Sequence, residues 1–280
     1  MFKGFNLNLD NTDGLHSSDE YSNILKSREQ NIQSSLDKYL MSDGSIDASE
    51  LSLAWFPEIT SPHVFISHSH QDVELAKKLA DWLYDKFKIM SFIDSEVWGY
   101  SENLLKQIDN EYAYQPESGT YRYSIRNLTT SHVHMMLSSA LNSMINQSEC
   151  LIFLNTNNAI SDITSLGYDN KDRTSSPWIM SELHTSAIIQ KKMDIGRENL
   201  TKAAGLESRS LEESAMDSSL PKFEYAVDLN HLHKLDINAL SSWSKNTSDE
   251  GYYALTELYN SYGGESLTNI KQYEPTFLEN

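Results

Sequence analysis

Apolar and polar positions alternate in blocks along most of this 280-residue chain. His63-Val64-Phe65-Ile66-Ser67 is a short apolar run of the kind that forms a strand covered on both faces. From Gln71 to Lys88, Ala76, Leu79, Ala80, Leu83 and Phe87 recur at the i, i+3, i+4, i+7 spacing of one helix face. Ile89–Asp94 predicts a second strand, and Ser101–Asn110 a helix with Leu104, Leu105 and Ile108 on one side. Val133, Met136, Leu137, Ala140, Leu141, Met144 and Ile145 form another helical stripe, and Cys150–Leu154 a third strand. Ser176 reads as an N-cap with Pro177 at the first helical position, opening a helix to about residue 190. Phe223–Val227 is the expected fourth strand, His231–Leu235 a candidate fifth, and short helices follow around 237–243 and 252–262.

The remaining segments lack this order. Residues 1–20 are polar and read as a mobile terminus. Ile24, Ile32, Leu36 and Leu40 give a sparse helical spacing, followed by a turn at 42–47. Residues 1–60 are therefore expected to be an N-terminal arm, partly helical, that docks through Trp55 and Phe56. Residues 61–280 form the main domain, with polar insertions at about 111–130 and 191–222.

Strands that alternate with amphipathic helices predict a parallel sheet covered on both faces. Ligands bind such sheets beyond the carboxyl ends of the strands. The segments 67–72, 94–100 and 155 onward then share one rim.

Charge and cysteine content narrow the partners. Twenty-two basic against 40 acidic residues give a formal net charge of −18. Such a surface repels phosphate backbones and anionic lipid, which argues against nucleic acid and membrane partners. The start carries no apolar core of signal-peptide length, and no apolar run reaches the roughly 18 residues of a membrane span. The single cysteine, Cys150, excludes an internal disulfide framework and a multi-cysteine zinc site. A cytoplasmic location is the expectation.

Three constellations carry candidate chemistry. Ser67-His68-Ser69-His70-Gln71-Asp72 follows a strand and offers a His-x-His-x-Asp set, the spacing used by metallo-β-lactamase-like hydrolases to hold zinc. That motif continues with a further histidine, where this chain has Val73. Plain helix capping by Asp72 is the simpler alternative. Second, Trp178 and Glu182 are four apart and share a helix face, off the line of Ile179 and Leu183. A core tryptophan with a solvated glutamate is the bland reading. If their line meets the rim, a carboxylate sits beside an indole, tuned by apolar surface. Third, Asp43–Glu50 imitates the second half of a calcium loop. Tyr39 and Met41 occupy the earlier ligand positions, so it reads as a turn and helix cap.

Taken in order, His63–Asp72, Phe92-Ile93-Asp94-Ser95 with Trp98-Gly99-Tyr100, Cys150–Asn155 and Ser176–Leu183 resemble a TIR (Toll/interleukin-1 receptor) domain of bacterial type. The likeness covers about residues 61–190. It implies an α/β, flavodoxin-like three-layer sandwich around a central parallel sheet. It also implies cleavage of NAD+ at the nicotinamide–ribose bond, giving ADP-ribose or a cyclic isomer, in anti-phage defence. By the same resemblance Glu182 matches the catalytic glutamate. Ser67 and His68 border the nucleotide, Asp94–Tyr100 matches a loop closing over it, and Trp98 or Tyr100 stacks on a ring. Trp178 lies beside the catalytic residue. NAD+ is then a substrate rather than a cofactor, no metal is required, and self-association or other TIR proteins are the implied protein partners. The alternatives are a non-catalytic interaction module and a metal-dependent hydrolase using His68, His70 and Asp72.

Overall fold

A computed structural model describes residues 2–9, 12–29, 36–56, 62–93, 95–161, 172–189 and 223–264. Its centre is a five-stranded sheet of β1 (Lys3–Asn8), β2 (Val64–Ser67), β3 (Ser91–Ile93), β4 (Cys150–Asn155) and β5 (His233–Asp236). The spatial order is β3-β2-β4-β1-β5, and every neighbouring pair is parallel. This is the flavodoxin-like α/β sandwich that the resemblance implies.

Side-chain alternation builds the two faces. Phe5, Leu7, Val64, Ile66, Ile93, Cys150, Ile152, Leu154 and Leu235 pack into one core. Its helices are α1 (Glu20–Glu29), α3 (Val73–Phe87), α7 (Ile237–Asn246) and α8 (Gly251–Tyr262). Phe65, Phe92, Leu151 and Phe153 face the other way. They meet α2 (Ala48–Trp55), α4 (Ser95–Ile108), α5 (Tyr123–Gln147) and α6 (Pro177–Ile188). The expected aliphatic stripes supply these faces: Ala76, Leu79, Ala80, Leu83 and Phe87 on α3, and Val133, Leu137, Leu141, Met144 and Ile145 on α5, are all buried.

The N-terminus departs most from expectation. Residues 3–8 are not part of a mobile arm. They are the fourth strand in space, paired with β4 from Lys3↔Cys150 to Asn8↔Asn155 and with β5 from Phe5↔His233 to Asn8↔Asp236. Phe5 and Leu7 are fully buried. The alternating residues Gly4 and Asn6 make the stretch look polar, and at Gly4 the absent side chain leaves room for Leu232 Cδ2, which a Cβ would approach to 2.5 Å. The expected fourth strand at 223–227 reduces to Tyr225–Ala226, paired antiparallel with Arg173–Thr174 outside the main sheet. Phe223, two residues before the pairing begins, is exposed. The fifth strand stands two residues beyond its first expected position.

After β1 the chain is fastened to α3. Ser22 donates through N and Oγ to Asp81 at 2.8 and 2.7 Å, which satisfies a carboxylate that is nearly fully buried. Tyr21 donates its hydroxyl to Ser91 O at 2.5 Å and accepts from Ser91 N at 3.0 Å, closing one residue of the edge strand β3. The turn at Asp43 and the cap at Asp47 match expectation: Asp47 accepts from Ser49 N and Glu50 N at the start of α2. Its serine partner at position 45 holds the exposed Asp43 carboxyl below its ordinary 3.8. Trp55 and Phe56 dock into the second core as expected.

The 111–130 segment is ordered. Asp109–Ala113 form a π-helical turn, Tyr114–Gln115 and Thr120–Tyr121 a hairpin, and α5 begins at Tyr123. The 191–222 segment lies outside the described residues. Among the described residues, no helix is long and apolar enough to cross a membrane.

Candidate active site

β2 ends on Ser67, whose side chain follows Phe65 onto the face covered by α6. α6 starts where Ser176 Oγ accepts from Ile179 N at 3.2 Å, with Pro177 in its first turn. One turn further, Glu182 meets the strand end: Ser67 donates its hydroxyl to Glu182 Oε2 at 2.6 Å. The glutamate is only 2 % exposed, so the solvated reading of Glu182 is wrong. Trp178 is 9 % exposed and lies in the same core as Ile179 and Leu183. The His134 ring from α5 stands edge-on to it at a centroid distance of 5.8 Å. Glu182 thus meets the carboxyl-end rim through Ser67, while Trp178 packs with Ile179 and Leu183 rather than off their line.

His68 is also fully buried, with Nδ1 3.4 Å from Ile66 O. The zinc arrangement does not form. His70 is exposed while His68 is enclosed, and the Asp72 carboxylate is committed elsewhere. Among the described residues no group of three His, Cys, Asp or Glu side chains converges on a metal position. The strand ends at Ser67 and His70–Asp72 wind into a short 3-10 turn, so no extended face carries the three side chains together.

Asp72 does not serve its own helix either. It occupies the position before α3 but makes no side-chain cap bond. Thr156 instead donates to Asp72 Oδ2 at 2.5 Å and Asn158 Nδ2 to Oδ1 at 2.7 Å. Thr156 and Asn158 follow β4 directly. Sequence reasoning placed their segment on the rim but assigned neither a role; the visible signal was a polar Asn155-Thr156-Asn157-Asn158 run after an apolar strand.

The expected closing loop is different. Asp94 lies outside the described residues, and residues 95–100, including the Trp98 and Tyr100 backbones, belong to the first turns of α4. The structure therefore brings together Ser67 and Glu182, with His68 directly after β2 and Trp178 one turn before Glu182 on α6.

Cys150 stands at the opposite, amino end of the strands. Burial pushes its thiol far above the ordinary 9.0, with Glu149 adding to the effect. It is held as a protonated packing group.

No family model, no curated protein and no solved structure matches this chain.

Proposed function

We propose that the chain is an NAD+ nucleosidase of TIR type that uses Glu182. The observation that carries this reading is the Ser67–Glu182 pair: a buried carboxylate held at 2.6 Å by a strand-end hydroxyl, on the rim where parallel sheets bind ligands. The motif order described above supplies the family.

The chemistry follows from the substrate. The nicotinamide of NAD+ is already cationic on its ring, so it leaves neutral, taking the electron pair of the C1–N bond, and needs no acid. The ribose is left as an oxocarbenium-like centre, the species that carboxylates stabilise in glycoside hydrolysis. Glu182 faces this developing charge, and Ser67 keeps the carboxylate in one orientation. Water then adds at C1, loses a proton and gives ADP-ribose; attack by an adenine nitrogen gives a cyclic isomer. With Glu182 2 % exposed, a ribose reaches the carboxylate only when the groups covering it move. This makes the reading one of a triggered enzyme, acting in the cytoplasm in bacterial anti-phage defence and in contact with copies of itself or other TIR proteins.

Purified protein, once assembled or triggered, is expected to release nicotinamide from NAD+, and Glu182→Gln to abolish release with folding intact. Release that survives this substitution overturns the reading. One observation favours the second reading, a non-catalytic interaction module. Tyr112, Tyr114, Tyr121 and Tyr123 stand exposed around the hairpin, and tyrosine is enriched in protein interfaces. That module would bind its partner equally well with Glu182 replaced.

A further inference from the structure

The Asp72 carboxylate ignores the helix it precedes and joins two loops that are distant in sequence. Thr156 Oγ1, which donates to Asp72, accepts from Asn158 N and Ala159 N, each at 3.2 Å. This tightens the loop after β4. Two residues on, Ser161 N donates to Arg173 O at 2.7 Å, and Ser161 Oγ to Glu224 Oε2 at 3.0 Å. Arg173–Thr174 pairs with Tyr225–Ala226. Thr174 Oγ1 accepts from Ser176 N at 3.2 Å, and Ser176 caps α6. α6 carries Glu182, and Glu182 returns to Ser67, five residues before Asp72. The contacts close a ring around the rim.

We propose that Asp72 is a positioning residue for Glu182. By clamping the β2–α3 turn to the loop after β4, it sets both partners of the Ser67–Glu182 pair from one point: the strand end that carries Ser67 and the capped start of α6. The inference rests on the nucleosidase reading for its catalytic consequence, but its structural half stands apart from it. A carboxylate suits the task because it is acceptor-only and presents both oxygens to two donors. An asparagine there turns an amide toward one of those donors.

The test uses the full chain in three forms: wild type, Asp72→Asn, and the double variant Asp72→Asn/Asn158→Asp. The double variant keeps the net charge and restores an acceptor opposite an amide. In Asp72→Asn, kcat for nicotinamide release is expected to fall about 10- to 100-fold, the scale of a small misplacement of a reacting group. KM is expected to stay within about twofold, since substrate contacts are intact. Amide exchange at Ile179 and Met180, in the first turn of α6, is expected to quicken by about tenfold as that turn loosens. The double variant recovers most of both losses. If Asp72→Asn does not fold, Thr156→Val is expected to show the same kcat loss and faster exchange, with Thr156→Ser close to wild type.

Unchanged exchange in Asp72→Asn overturns the proposal whether or not the protein turns over. So does a double variant as impaired as the single one. A wild-type chain that never releases nicotinamide overturns the nucleosidase reading and the catalytic half of this proposal, while faster exchange in Asp72→Asn would still uphold the clamp.

Discussion

The two ends of the central sheet each bury a glutamate, and they differ in what surrounds it. At the amino end, the Glu149 carbonyl accepts from Phe2 N at 2.6 Å and Lys3 N at 3.3 Å. Lys3 Nζ donates to Gly263 O at 2.8 Å, so the first strand is tied to the end of α8. Tyr259 and Cys150 lie beside Glu149, and burial lifts the Tyr259 hydroxyl well above its ordinary 10.0. At the carboxyl end, Glu182 is met by Ser67, and the loops around it are joined through Asp72, Thr156 and Asn158. The amino end ties the first strand to the end of α8; the carboxyl end assembles loops. A buried glutamate is thus no sign of chemistry by itself. Its neighbours and its end of a parallel sheet decide the role.

The largest stability effect is expected where the amino end meets the core. Phe5→Ala removes a fully buried ring from β1 and should cost about 3–5 kcal/mol by urea unfolding. A terminal arm at that position would lose almost nothing, so the measurement separates the two pictures of residues 3–8. Ser67→Ala leaves a buried carboxylate oxygen without its hydroxyl donor and should cost about 1–3 kcal/mol. Lys3→Met acts on the other end. It keeps the apolar stem and removes the donor to the Gly263 carbonyl, about 1 kcal/mol. If Lys3→Met proves costlier than Ser67→Ala, the contrast between the ends is misdrawn.

The smallest effect is a pH dependence at the amino ends of β2 and β3. His63 Nδ1 accepts from Met90 N at 2.9 Å, and burial lowers the imidazole pKa below its ordinary 6.5. The folded chain therefore binds this proton less readily than the unfolded chain. Stability is full above 6.5 and falls as the pH drops through that value toward the folded pKa. Thermal unfolding from pH 7.5 to 5.5 should show the loss, and His63→Asn should reduce it. An equal loss in the variant would place its source elsewhere.

Much of this arrangement was legible in the residues. Period-3.6 stripes on α3 and α5, the apolar runs of β2 and β4, and the Ser176-Pro177 start of α6 each declare themselves locally. So does the Trp178–Glu182 spacing that brings a carboxylate to the rim. β1 was hidden because one face of its six residues carries Gly4 and Asn6, and because its neighbours in the sheet are remote in sequence. The Asp72 clamp was hidden for a related reason. Its partners lie 84 and 86 residues away, and no local period encodes such pairing. The 94–100 segment misled because the closing loop was implied by the family resemblance, whereas a helix starts at Ser95.

The central claim is that Glu182 is chemical and Glu149 structural. Nicotinamide release from NAD+ should be measured side by side for wild type, Glu182→Gln and Glu149→Gln, with unfolding midpoints for all three. Glu182→Gln is expected to lose release by about 100-fold or more, the scale of removing a group that stabilises transition-state charge. Glu149→Gln is expected to turn over at the wild-type rate with a lowered midpoint. Release that persists in Glu182→Gln, or falls equally in both variants, would contradict the claim.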